Sequence, residues 1–184
     1  MKRVAESFLL PCTTAAFWDL FMDQAYVRSL YLDGLGFKGF EVLALSRDSR
    51  RLRIVPKLNV PDVLAKLIGD AFAYEEHGVL DRARSEWTWR MVRPDSARGP
   101  DLVSTHGSVR VEPAGDGQCR RQDEVTIEGK LFGLGRLIES AAEKEARSAW
   151  AKELPFFTRW VASHDQGTST RIAPPTSTAP PSAR

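Results

Sequence analysis

Cysteine and histidine are scarce. The 184 residues hold two cysteines, Cys12 and Cys119, and three histidines. Two cysteines far apart in sequence build neither a disulfide framework nor, alone, a zinc site. Both read as buried, inert thiols. His77, His106 and His164 fall at no ligand spacing such as H-x-x-x-H, so no metal site is expected. Long apolar runs are missing too. No window approaches the ~18 apolar residues that cross a bilayer. At the N-terminus the run Phe8-Leu9-Leu10 stops at Pro11, too short for the core of a signal peptide. The expectation is a cytoplasmic protein with no stable membrane insertion. Charge of one sign does not dominate either. The balance of 26 basic against 24 acidic residues gives +2, and without a marked basic patch no nucleic-acid partner is expected. No G-x-S-x-G elbow, H-R-D or D-F-G occurs, which removes the motif-based arguments for a serine hydrolase or a kinase.

What is present suits one domain. Hydrophobic residues make up 42% of the chain, and a globule of this size buries roughly 70% of the surface its unfolded chain exposes. Gly34, Gly36 and Gly39 spell G-x-G-x-x-G. That fingerprint binds a dinucleotide only between an entering strand and a leaving helix. Here a helical stretch enters and a strand leaves. The glycines therefore read as a helix exit.

Periodicity gives the rest. Val4 to Leu10 alternates as a strand. Thr13 and Thr14 are N-cap candidates for a helix carrying Phe17, Trp18, Leu20 and Phe21. Asp23 or Gln24 breaks it, and a second short helix carries Tyr26, Val27, Leu30 and Tyr31. A hairpin follows, with Phe40, Val42 and Ala44 on one strand and Leu52 and Ile54 on the return. Asn59 to Gly69 is a helical segment with Pro61 at its first turn and Val60, Val63, Leu64, Leu67 and Ile68 on one apolar face, read as a lid, an ordinary core helix or a membrane-docking helix. Four further strands run over 71–81, 84–94, 102–112 and 119–131. A long helix then spans 134–163, with Pro155 a kink candidate. From Asp165 the chain turns to Gly, Thr, Ser and paired prolines, so 165–184 reads as a disordered tail beside a domain of residues 1–164.

The order β-α-α-β6-α predicts an α+β fold, a seven-stranded antiparallel curved sheet wrapped around a long C-terminal helix. Several residues in that order carry a resemblance. They are Phe17-Trp18-Asp19 with Asp23 and Tyr26, Pro61-Asp62, Tyr74-Glu75, Trp87 and Trp89, Gly107, and Leu131-Phe132-Gly133 with Ile138-Glu139. Over about Val4 to Ala162 the chain resembles the START-like (SRPBCC) helix-grip superfamily, and within it an uncharacterised bacterial family of unknown function. The resemblance implies a hydrophobic pocket between sheet and helix. The superfamily contains lipid carriers, hormone receptors, and aromatases or cyclases.

Candidate pocket residues follow from the alternation. Phe17 and Phe21 come from the first helix. Tyr74, Glu76, Trp87, Trp89 and Met91 come from the central strands. Gly107 and Val109 share a face of the next strand. Ile138, Ala141, Ala142 and Glu145 lie on the long helix, whose small residues Ala141, Ala142, Ala146 and Ala149 leave space. A straight helix some 45 Å long cannot touch a twisting sheet throughout, so an internal hollow is expected. Glu76 and Glu145 are polar groups near an apolar wall, costly unless paired. Each is either a handle for a ligand hydroxyl or amine, or meets an arginine such as Arg121 or Arg90. Arg47, Arg50, Arg51 and Arg53 surround a hairpin turn and read as a solvated cluster. No catalytic residue or cofactor stands out. The expected partner is a small hydrophobic molecule, a lipid or polyketide, held in an internal cavity for sequestration or transfer. A cyclase, aromatase or hydratase using the same pocket is the alternative.

Overall fold

Seven segments with period-two alternation form seven strands of one antiparallel sheet in the order β1-β7-β6-β5-β4-β3-β2. The computed structural model describes residues 1–68, 72–95 and 101–168, side chains of 165–168 excepted. The strands are β1 Lys2–Leu10, β2 Gly39–Leu45, β3 Ser49–Val55, β4 Tyr74–Asp81, β5 Glu86–Val92, β6 Val103–Pro113 and β7 Cys119–Gly129. The helices are α1 Thr14–Phe21, α2 Gln24–Ser29, α3 Asp62–Ile68 and α4 Gly135–Thr168. This is the helix-grip architecture anticipated above. The backbone of α4 runs to Thr168, beyond the helix end expected at residue 163 and the domain limit expected at residue 164. The tail expected over 165–184 lies outside the described residues from 169 onward.

Local chemistry explains the element ends. Thr13 Oγ1 accepts a hydrogen bond from the Ala16 amide at 3.2 Å, and Asp23 Oδ1 accepts from the Tyr26 amide at 2.7 Å. These side chains satisfy backbone donors that a helix start leaves open. After α2 the chain widens into one π-helical turn, Leu30–Gly34, closed by the Leu35 amide on the Leu30 carbonyl at 2.8 Å. Gly36 then takes φ +70°, a left-handed conformation that suits glycine. The G-x-G-x-x-G run is thus a helix exit. Pro155 lies inside α4, where it withholds one amide from the helical ladder.

The sheet's inner face packs on α1, α2 and α4. Phe17, Phe21, Tyr26, Trp87 and Phe157 are buried in one aromatic cluster. Close approach there depends on Gly78 of β4. A Cβ at this position would stand 1.9 Å from Cζ2 of Trp87. Val4, Val125, Ile127 and Trp150 make a second cluster, and Leu64, Leu102 and Ile138 a third under α3. Cys12 and Cys119 are buried thiols, their sulfurs 3.9 Å apart. The hydrogen bond between them draws the Cys119 thiol below its ordinary range.

The sheet's outer face carries a charged lattice. Glu75 receives Arg53 at 3.0 Å, Arg51 at 3.3 Å and His77 at 2.9 Å. The His77 hydrogen bond, then the two arginines, hold the Glu75 carboxyl below its usual range. Glu75 and His77 therefore serve the outer surface, and His106 is exposed.

Candidate functional site

A cavity of about 320 Å³ lies between the inner face of the sheet, α3 and α4. This volume sits at the lower end of the range that holds small ligands. Most of its wall is apolar. Trp87, Trp89 and Met91 project from β5 on one face because residues two apart on a strand share a side. Val103, Thr105 and Val109 come from β6, and Val125 and Ile127 from β7. Across from them, Ile138, Ala141, Ala142, Glu145, Ala146 and Ala149 present one stripe of α4. The alanines keep that stripe shallow, and this is where the space opens.

Eleven of the candidate residues border the cavity: Phe21, Tyr74, Glu76, Trp87, Trp89, Met91, Val109, Ile138, Ala141, Ala142 and Glu145. Two lie off it. Phe17 sits behind Phe21, stacked on it at 5.5 Å between ring centroids, and meets Phe157 at 5.9 Å. It fills core instead of facing space. Gly107 pairs with Trp89 across the ladder. A Cβ there would stand 2.3 Å from the Glu124 carbonyl oxygen and 3.1 Å from the Trp89 ring. Gly107 thus makes room for a wall residue without being one.

The segment around α3 also differs from expectation. Val60, Leu64 and Ile68 border the cavity, but Val63 and Leu67 are exposed. The short helix turns only part of its apolar surface inward.

The largest correction concerns Arg50, read above as part of a solvated cluster. It is 4% exposed. Its Nη2 and Nε donate to Glu76 Oε1 at 2.9 and 3.3 Å, and its Nη1 donates to the Phe21 carbonyl at 2.7 Å. The guanidinium lies 4.4 Å from the Phe21 ring centroid and 4.9 Å from that of Trp87. Flat, weakly hydrated and always charged, arginine suits such a sandwich. Glu76 therefore meets Arg50, not Arg121 or Arg90, and its Oε2 accepts from the Tyr31 hydroxyl at 3.2 Å.

A second buried group was partly missed. Arg121 donates from Nε and Nη2 to the two oxygens of Asp123, both at 2.7 Å, and from Nη1 and Nη2 to Glu153. All three residues border the cavity. Burial pushes the Asp123 carboxyl up to about 6, against the pull of Arg121 and with a smaller push from Glu153. One guanidinium cannot neutralise two desolvated carboxylates. Burial also raises the Tyr31 and Tyr74 hydroxyls well above their ordinary range.

The sign of the Asp123 effect sets a test. Its folded value exceeds the ~3.9 of an unfolded aspartate. Between those values the folded state binds more protons, so this group lowers stability as pH rises from 4 to 6. The size is at most about 3 kcal/mol at ~1.4 kcal/mol per unit. Denaturant titrations of Asp123→Asn and the unmodified protein should show the variant gaining relative stability over that window. A constant difference from pH 4 to pH 6 would remove the assignment.

Among the described residues, no group of three or more His, Cys, Asp or Glu side chains is arranged to hold a metal ion. Among them too, no helix is long and apolar enough to cross a membrane.

Comparison with solved structures places this geometry. The chain is similar in fold to the Zhui aromatase/cyclase from Streptomyces sp. R1128, with 13% identity, TM-score 0.64, and 87% and 95% of the two chains covered. It is similar to norcoclaurine synthase from Thalictrum flavum in complex with dopamine and hydroxybenzaldehyde, with 16% identity, TM-score 0.60, and 89% and 87% covered. A START superfamily protein from Mycobacterium smegmatis matches with 15% identity, TM-score 0.57, and 86% and 98% covered. At these identities the likeness establishes the fold. No curated protein matches in sequence. A family profile does match, over residues 7–161, and by it the chain belongs to DUF2505, described as a protein of unknown function.

Proposed function

We propose that this protein binds a small, largely apolar molecule inside the cavity, as a carrier or sequestering protein. The carrying observation is the hollow of about 320 Å³, lined by Trp87, Trp89, Met91 and the alanine stripe of α4. Removing apolar ligand surface from water supplies roughly 25 cal/mol per Å² before ordering costs. A wall of this composition favours a lipid-like, aromatic or polyketide body. The relatives in fold include an aromatase/cyclase and a START superfamily protein, which agrees with that class.

Native mass spectrometry of freshly purified protein, followed by solvent extraction, tests the reading. The expected result is a co-purified apolar molecule. Ala142→Phe places a ring in the hollow and should abolish that adduct while the protein stays folded. An adduct that persists in the filled variant would mean the molecule binds elsewhere.

A second reading is an enzyme of cyclase, aromatase or hydratase type. Its specific support is Asp123, a cavity carboxyl raised to about 6, near the range that suits a general acid or base. Asp123→Asn and Glu76→Gln separate the readings once a ligand is known. Turnover lost with binding retained favours catalysis.

A further inference from the structure

We infer that the cavity selects molecules presenting a hydrogen-bond donor, a hydroxyl or an amine, to its buried polar wall, and disfavours those presenting a carboxylate. This inference rests on the reading of the cavity as a ligand site and narrows the ligand class.

The argument is an account of donors and acceptors. The buried polar wall centres on two cations, Arg50 and Arg121, with Glu76, Asp123 and the half-buried Glu153, and Glu145, Lys57 and Lys152 border the cavity as well. Every guanidinium nitrogen is already engaged. Arg50 donates from Nε and Nη2 to Glu76 and from Nη1 to the Phe21 carbonyl. Arg121 donates from Nε and Nη2 to Asp123 and from Nη1 and Nη2 to Glu153. The Phe21 and Trp87 rings cover the Arg50 plane. An incoming anion would meet only the N–H groups left over, two on Arg50 and one on Arg121, each beside a carboxylate already in place.

Acceptor capacity is the opposite case. Each ionised carboxylate oxygen can take about two hydrogen bonds. Both oxygens of Asp123 and both of Glu153 take one each from Arg121, and Glu76 Oε2 takes one from Tyr31. Within the ion-paired group the charge points the same way, since two guanidiniums face three carboxylates; over the whole lining the exposed Lys57 and Lys152 and the half-buried Glu145 bring cations and carboxylates level, so the excess is local to this group. The two clusters act on one region. The Tyr31 hydroxyl feels both Glu76 and Glu153, and the Tyr26 hydroxyl feels both arginines. A ligand donor placed there satisfies spare lone pairs and offsets the excess charge. A ligand carboxylate adds repulsion to it.

Four probes with one aromatic body test this in the full chain at pH 7.5. They are 2-naphthol, 2-naphthylmethylamine, 2-methoxynaphthalene and 2-naphthoate, with affinity read from quenching of the wall tryptophans and from calorimetry. The naphthol or the amine should bind about tenfold or more tighter than the methyl ether, the range for a hydrogen bond to a charged partner. Whichever of the two leads identifies a hydroxyl or an ammonium as the preferred donor. Naphthoate should bind weakest. In Asp123→Asn with Glu153→Gln, the lead over the ether should shrink while affinity for the ether holds. Naphthoate equal to or tighter than naphthol, or an ether equal to both donors, overturns the inference and leaves the apolar cavity standing. Binding of none of the four overturns the cavity reading and this inference together. The panel on the unmodified protein decides the question even if the double variant fails to fold.

Discussion

Replacing Gly78 with valine is expected to lower the melting temperature by roughly 8–16 °C, the equivalent of about 4 kcal/mol for a chain of this length. A side chain there has no room. Its Cβ would fall 1.9 Å from the Trp87 ring, and a rigid indole cannot yield as a flexible side chain does. Trp87 is 1% exposed. Its ring packs edge-on against Phe21 at 5.4 Å and beneath Arg50 at 4.9 Å. Moving the indole therefore unseats an aromatic pair and the cation that rests on both. Overpacking costs about 1–3 kcal/mol, and loss of a buried aromatic contact adds to it. Thermal melts of Gly78→Val, and of Gly78→Val with Trp87→Leu, check the cause. The smaller partner should restore part of the loss. A double variant no more stable than the single one would mean that the clash is not the source.

Arg121→Met should cost about 3–5 kcal/mol at neutral pH. Removing one partner of a buried ion pair leaves an uncompensated charge. Here it strands two carboxylates, Asp123 and Glu153, that share the same guanidinium. The penalty has a pH signature. Stranded buried carboxylates take up protons more readily than the unfolded chain does, so the variant loses stability as pH rises. Its deficit against the unmodified protein should be largest near pH 7.5 and should shrink toward pH 4.5. Adding Asp123→Asn and Glu153→Gln should recover much of it at pH 7.5. Denaturant titrations at both pH values measure this. Equal deficits at the two values would assign the loss to packing of the arginine stem instead of to charge.

Much of this architecture was legible because most strands keep a period of two; β2 breaks it where its register shifts between Val42 and Ala44. Trp87, Trp89 and Met91 were placed together by parity alone, and the sheet puts all three on the cavity. The alanine stripe on α4 signalled space because a helix face of small residues cannot fill a curved sheet. The polar wall was harder. Arg50 sits among Arg47, Arg51 and Arg53, and a run of like charges at a turn normally faces solvent. Yet Arg50 is in phase with Leu52 and Ile54, both buried, and that phase was the available signal. Asp123 is likewise in phase with Val125 and Ile127, and Glu153 stands eight residues after Glu145 on the same helix. What no alternation could show is which carboxylate meets which arginine. Pairings such as Arg50 with Glu76 depend on the lateral register of β3 and β4, where Arg50 lies opposite Gly78. Phe17 and Gly107 fail as wall residues for a related reason. Facing inward does not distinguish the first layer around a hollow from the layer behind it.

The pairing of β1 with β7 alone has a consequence for how the protein is made. Lys2 lies opposite Ile127, so β1 leaves the ribosome some 125 residues ahead of its neighbour among the described strands. At about 5–20 residues per second, that wait lasts roughly 6–25 s. Throughout it the apolar face carrying Val4, Phe8 and Leu10 lacks the strand it pairs with, which makes β1 a segment for a chaperone to shield.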